Sequence, residues 1–139
     1  MKTRNLIGRA LFATIFIVAA PGHFKAETIA YAKAAGVPLA DLAVPASGIL
    51  SLVAGLMVLL GYHAKLGAAG LVAFLVPVTL TMHKFWGIAD PMMAQMQQVM
   101  FMKNVALIGG ALMLAYAGSG AYSLDAWLAA RRATTPATT

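Results

Sequence analysis

Cysteine is missing from this chain of 139 residues, and charge is scarce: four acidic side chains, ten lysines and arginines, 10% charged in all. Without thiols the chain carries no disulfide, no Cys-x-x-Cys redox pair and no thiolate metal site of its own. So little charge excludes an ordinary soluble domain, in which about 25% of residues are charged. Hydrophobic residues make up 61% instead, in runs approaching the roughly 20 needed to cross a hydrocarbon core. The chain is built for a lipid bilayer. Its net charge of +6 is scattered beside the hydrophobic runs and forms no single stripe, so it speaks for orientation in a membrane and against nucleic-acid binding.

Four spans follow. The first runs from Leu6 to Phe24, behind Lys2 and Arg4, with Arg9 in its first turns and Pro21-Gly22 near its far end. Arg9 and the lack of a small-x-small site before Pro21 argue against a cleaved signal peptide. Lys25 to Asp41, with Gly36-Val37-Pro38, reads as a loop containing about one helical turn. The second span, Leu42 to Tyr62, places Ser47, Ser51 and Gly55 at steps of four, a small-residue stripe for helix packing that Gly110 in the fourth span can answer. A short connection returns the chain into the third span, Leu66 to Phe85. Pro77 within it frees the Ala73 carbonyl and predicts a kink, with Thr79 and Thr81 as hydroxyls for local repair.

Asp90-Pro91 has the form of an N-cap followed by proline at the first helical position. Gln95, Gln97 and Gln98 then belong at the membrane surface, and Val99 to Ala117 spans, interrupted by Lys103 and Asn104. Tyr122 to Arg132 resembles an amphipathic helix, with Trp127 for the interface and Arg131 and Arg132 for lipid phosphates. Residues 133–139 read as a disordered tail. The fold class is all-α membrane: a four-transmembrane-helix bundle over residues 1–132 with a short C-terminal amphipathic helix. Lys2, Arg4, Arg9, Lys65, Arg131 and Arg132 fall on one side, against Lys25, Lys33, Lys84 and Lys103 on the other. That bias places both termini in the cytoplasm.

The polar residues inside the spans carry what chemistry there is. Arg9 reads either as a snorkelling anchor or as one half of an ion pair with Asp125, which returns to the same side. Lys103 and Asn104 serve either an interhelical hydrogen bond or a lysine meeting an anionic or quinone-like head group. His83, Lys84 and Trp86 close the third span, and His23 and Lys25 the first, so one end of the bundle collects imidazole, cation and indole. Such a group can hydrogen-bond a quinone carbonyl and move its proton. The same residue types are also common at interfaces with no chemical duty. Nothing in the spacing sets two histidines across a haem plane. Met92, Met93, Met96, Met100 and Met102 are spread around a helix, as flexible packing requires and a soft-metal site does not. No catalytic residue and no metal site is assigned.

Five stretches in register resemble the DoxX family of small bacterial four-span membrane proteins: Gly8-Arg9-Ala10-Leu11, Gly55 to Gly61, His83-Lys84-Phe85-Trp86, Lys103 to Gly110, and Gly118 to Asp125. The resemblance covers nearly the whole chain and implies a bacterial inner-membrane location. Many members carry a glutamate four residues before the glycine that here is Gly55, where this chain has Ser51. That leaves Lys103 without its most obvious counter-ion. A few members are associated with quinone-linked sulfur oxidation or with membrane redox complexes that protect against oxidative stress. The resemblance therefore implies a non-thiol membrane subunit of a redox system, with quinone as the cofactor class and a soluble or membrane oxidoreductase as partner. The alternative is a non-catalytic scaffold, alone or as a homodimer, that recruits or stabilises a partner through its small-residue stripes and its charged amphipathic tail. A small-solute transporter is a third reading, supported only by Pro77.

Overall fold

A computed structural model of the chain describes residues 2–134. Helix α1 (Lys2–Ala19) tightens into a 3-10 turn (Ala20–Phe24) and is followed by α2 (Ala26–Ala34), α3 (Ala40–Leu60), α4 (Ala64–Met82), α5 (Pro91–Ala117) and α6 (Leu124–Thr134). Four of these are long and apolar enough to cross a membrane: α1 with its 3-10 extension, α3, α4 and α5. Of the expected tail 133–139, residues 133 and 134 complete α6 and residues 135–139 lie outside the described residues.

Local chemistry explains most boundaries. Pro21 enters as α1 tightens, where its missing N–H ends the regular ladder. The expected loop after it is more ordered than a single turn: α2 has nine residues. Four alanines favour the helix, and Glu27 in its first turn and Lys33 in its last complement its dipole. Gly36, at φ 82, and Pro38 then stop it. Helix α4 continues through Pro77. The threonine hydroxyls expected to mend the ladder there bond elsewhere: Thr79 donates to the Leu75 carbonyl at 2.6 Å and Thr81 to that of Pro77 at 2.7 Å, not to Ala73. The predicted cap of α5 is present, with the Asp90 carboxylate accepting from Met93 N at 2.7 Å. At 27 residues, α5 is about 40 Å long. That exceeds the roughly 30 Å hydrocarbon core, so its glutamine-bearing first turns extend past the expected start at Val99.

Packing follows a chain of neighbours: α1 on α3, α3 on α4, α4 on α5, with α1 and α5 meeting only thinly. Ala13 and Phe16 of α1, Ala54 and Val58 of α3, and Ala68, Leu71, Phe74 and Leu75 of α4 form the buried centre. Helix α2 folds over the start of α3 through Ala32, Ala40 and Val44. Large apolar side chains such as Leu11, Val18 and Met113 point outward, as they should where lipid replaces water. Both termini lie at one end, with Asn5 against Gly120 and Arg9 against the loop before α6. Helix α2 and the α4–α5 connection close the other end.

Candidate functional site

The thin seam between α1 and α5 leaves a cavity of about 160 Å³ in the half of the bundle away from the termini. Its walls are mostly apolar: Ile15, Phe16 and Ala19 from α1, Phe74, Leu75 and Val78 from α4, and Leu107 from α5. Five polar side chains converge on it, namely His23, Ser51, His83, Lys103 and Asn104. The exposed members of the lining, Ile15 and Ala19 on α1 and Lys103 on α5, mark the mouth. The cavity therefore opens sideways, between two helices, toward lipid.

Each polar group arrives by a different route. The 3-10 turn swings His23 inward against Gly48, where a Cβ would stand 2.6 Å from His23 Cβ. Its ring meets Phe74 edge-on at 5.6 Å between centroids, and its Nδ1 is buried without a hydrogen-bond partner. Ser51, 1% exposed, donates to the Gly48 carbonyl at 3.1 Å and keeps its oxygen lone pairs available. Asn104 is 4% exposed and its amide has no hydrogen-bond partner among the described residues. Burying the His23 Nδ1 unpaired costs on the order of 1–3 kcal/mol, so the cavity carries unused hydrogen-bonding capacity. His83, just past the end of α4, approaches Gln97 Oε1 through Nδ1 at 2.9 Å.

Of the residues expected to form this cluster, His23, His83, Lys103 and Asn104 are brought together. Trp86 is not among them: it joins Phe85 and Phe101 in an aromatic group, at 5.4 and 5.9 Å between centroids. Lys84 is exposed outside the lining. Ser51, read from the sequence as a packing residue, faces the cavity. Gly48 and Gln97 were not singled out for it, yet a spacing was there to be read. Gly48, Ser51 and Gly55 step along one helix face, and Gln97 lies seven residues, two helical turns, before Asn104. Ser47 donates to its own helix at Val44. Gly55 and Gly110 do serve packing, receiving Phe16 and the Phe12 ring from α1.

At the opposite end a second polar group ties the termini down. Arg9 is fully buried and donates to the carbonyls of Val58, at 3.4 Å, and of Tyr122. Asp125 accepts from the Ser119 hydroxyl at 2.6 Å and from His63 N at 3.0 Å, and its own N–H donates to Gly61 O at 3.1 Å. The Arg9–Asp125 relation is thus indirect, through the Gly61–His63 turn, and no direct ion pair joins them among the described residues. The Ser119 hydroxyl and the His63 N–H, aided by the nearby cations, hold the Asp125 carboxyl below the usual carboxylate range. The turn needs this support. Gly61 (φ 66) and His63 (φ 45) are both left-handed, a conformation costing a non-glycine residue such as His63 roughly 1 kcal/mol or more.

The SURF4 family profile matches residues 44–128, from early α3 into α6. That is more than half of the chain. The protein belongs to the SURF4 family. The matched region of this SURF4-family protein holds Ser51, His83, Lys103, Asn104 and Asp125 but neither Arg9 nor His23. The inner membrane protein YqjF of Escherichia coli (strain K12) is 32% identical over 122 residues, 86% of this chain and 88% of that protein. The inner membrane protein YphA of the same organism is 27% identical over 122 residues, 86% of each. No solved structure matches. The chain is therefore an integral membrane protein of a small bacterial inner-membrane family.

Proposed function

We propose that this protein is a DoxX-like membrane subunit that holds a quinone head group in the α1–α5 cavity for an oxidoreductase partner. It would sit in the bacterial inner membrane with both termini cytoplasmic. The observation that carries the reading is the meeting of His23, Ser51, His83, Lys103 and Asn104 in one small, otherwise apolar cavity open toward lipid. An engineered cavity of about 150 Å³ takes up benzene, so about 160 Å³ suits a single-ring head. The residues present fit the group, because the buried Nδ1 of His23 lacks a partner that a ring oxygen would supply, and the amide of Asn104 lines the same cavity. A bound quinone supplies two-electron, two-proton chemistry. The chain's own part is to bind with Lys103 and Asn104, to exchange protons through imidazole, and to exclude water with Phe16 and Phe74. With no cysteine in the chain, electrons would come from the partner.

The scaffold alternative relied on small-residue stripes and the charged amphipathic tail as docking faces. Gly55 and Gly110 are covered by Phe16 and Phe12 of the same chain, which removes those stripe positions as free docking faces. Mass spectrometry of everything that leaves the membrane with the gently extracted protein tests the proposal. Wild type is expected to retain a quinone, and Lys103→Ala and His83→Ala to retain at least tenfold less. Wild type carrying bulk lipid alone would overturn it.

A further inference from the structure

His83 sits at the head of a relay of hydrogen bonds that ends on a backbone carbonyl. Nδ1 of His83 meets Gln97 Oε1 at 2.9 Å, Gln97 Nε2 donates to the Tyr31 hydroxyl at 2.9 Å, and that hydroxyl donates to the Met82 carbonyl at 3.2 Å. The far end fixes every direction. A carbonyl only accepts, so the Tyr31 proton must point to Met82 and the Tyr31 oxygen must accept. Gln97 satisfies it with its NH₂, which turns the amide oxygen toward His83. That oxygen also only accepts, so Nδ1 of His83 carries the proton. In the neutral ring Nε2 is then a bare acceptor, with no partner among the described residues.

The geometry points to a cavity that recognises the reduced, hydroxyl-bearing form of its ligand, with His83 Nε2 accepting the ring O–H. Two side chains outside the cavity, Gln97 and Tyr31, are the positioning residues that set this preference. The inference rests on the quinone-head reading of the cavity and adds which redox form the site holds better. An oxidised ring offers only carbonyl oxygens, which face the Nε2 lone pair without a hydrogen bond. The hydroxyl form gains a bond there, and both forms accept from Lys103 and Asn104. A tenfold preference for the reduced form corresponds to about 1.4 kcal/mol, the size expected of one net hydrogen bond.

Two measurements on the purified full-length protein in nanodiscs test this. Nitrogen-15 spectra of the histidine-labelled protein at about pH 8, where imidazole is ordinarily neutral, should show His83 protonated on Nδ1 and bare on Nε2. Gln97→Leu should convert it to a mixture, while Gln97→Glu, whose side chain can only accept when ionised, should keep the Nδ1 proton. Anaerobic titration with tetramethylhydroquinone and tetramethylbenzoquinone should show the first binding about tenfold tighter in wild type and equally in Gln97→Leu. A wild-type His83 protonated on Nε2, or equal affinity for the two probes, would overturn the inference. If neither probe binds, the quinone-head reading fails and takes the preference with it. The spectrum, which needs no ligand, distinguishes that outcome from a failure of the relay.

Discussion

The His23 side chain occupies the space that Gly48 leaves by having no side chain, and a Cβ at Gly48 would fall 2.6 Å from His23 Cβ and 3.1 Å from Cγ. Because Cβ moves only with the backbone, this contact has no flexible end to yield. Gly48→Ala should push the 3-10 turn away from α3 at about 1–3 kcal/mol, the usual cost of overpacking. Thermal unfolding in detergent should show a lower midpoint, accompanied by weaker ligand retention. An alanine variant as stable as wild type would mean that the turn rides freely on α3.

Ser51 lines the cavity with its hydroxyl directed back to its own helix. Ser51→Leu should place a larger apolar group in existing space, leaving stability within about 1 kcal/mol of wild type or raising it, as cavity filling can. Ligand retention should fall at least tenfold. Stability unchanged together with full retention would show that the ligand sits elsewhere.

Removing Arg9 should release the end of the bundle where the termini meet. Arg9→Met leaves the Tyr122 carbonyl without its donor and the Val58 carbonyl with the Gly61 N–H alone, at on the order of 1–3 kcal/mol. Hydrogen exchange over residues 118–128, which include the Asp125 N–H bound to Gly61, should accelerate about tenfold or more. Exchange confined to the wild-type rate would show that α6 docks without the arginine.

Asp125 predicts a pH dependence of definite sign. Its folded-state pKa lies below the unfolded value of about 3.9. The stabilisation it confers is therefore complete above that value and disappears as pH falls through the lower, folded one. Asp125→Asn should be less stable than wild type at neutral pH, and the gap between the two melting midpoints should narrow as pH is lowered below about 4. A gap independent of pH would mean that hydrogen-bond geometry, and not carboxylate charge, secures the turn.

The absence of native cysteine makes orientation directly measurable. Lys33→Cys on α2 should react with a membrane-impermeant maleimide applied outside intact spheroplasts, while a cysteine replacing Arg4 should react only after lysis. The reverse pattern would invert the topology.

The four spans were legible because crossing a bilayer demands long apolar helices, and that demand is written in composition and run length. The Asp90 cap was legible for a similar reason: its geometry is local, and Asp-Pro at a helix start has few other uses. The α2 helix was underestimated, since its charged residues dominated the reading while its four alanines and dipole-complementing ends favoured a helix. Trp86 shows a different limit. An indole three residues after His83 invites one site, but Trp86 turns to Phe85 and Phe101, and nothing local foretells which way a loop side chain will face.

By itself, then, the sequence determined that the chain spans a membrane four times and which polar residues would have to be buried with it, because the solvent acts on every residue alike. Which of those residues meet was decided only by tertiary packing. The glycine at 48 admits His23, the thin contact between α1 and α5 opens the cavity, and Tyr31, far away in sequence, orients His83 through Gln97. Such contacts depend on the relative placement of whole helices, and that placement follows from the fit of side chains across their interfaces, which no periodicity along a single helix encodes.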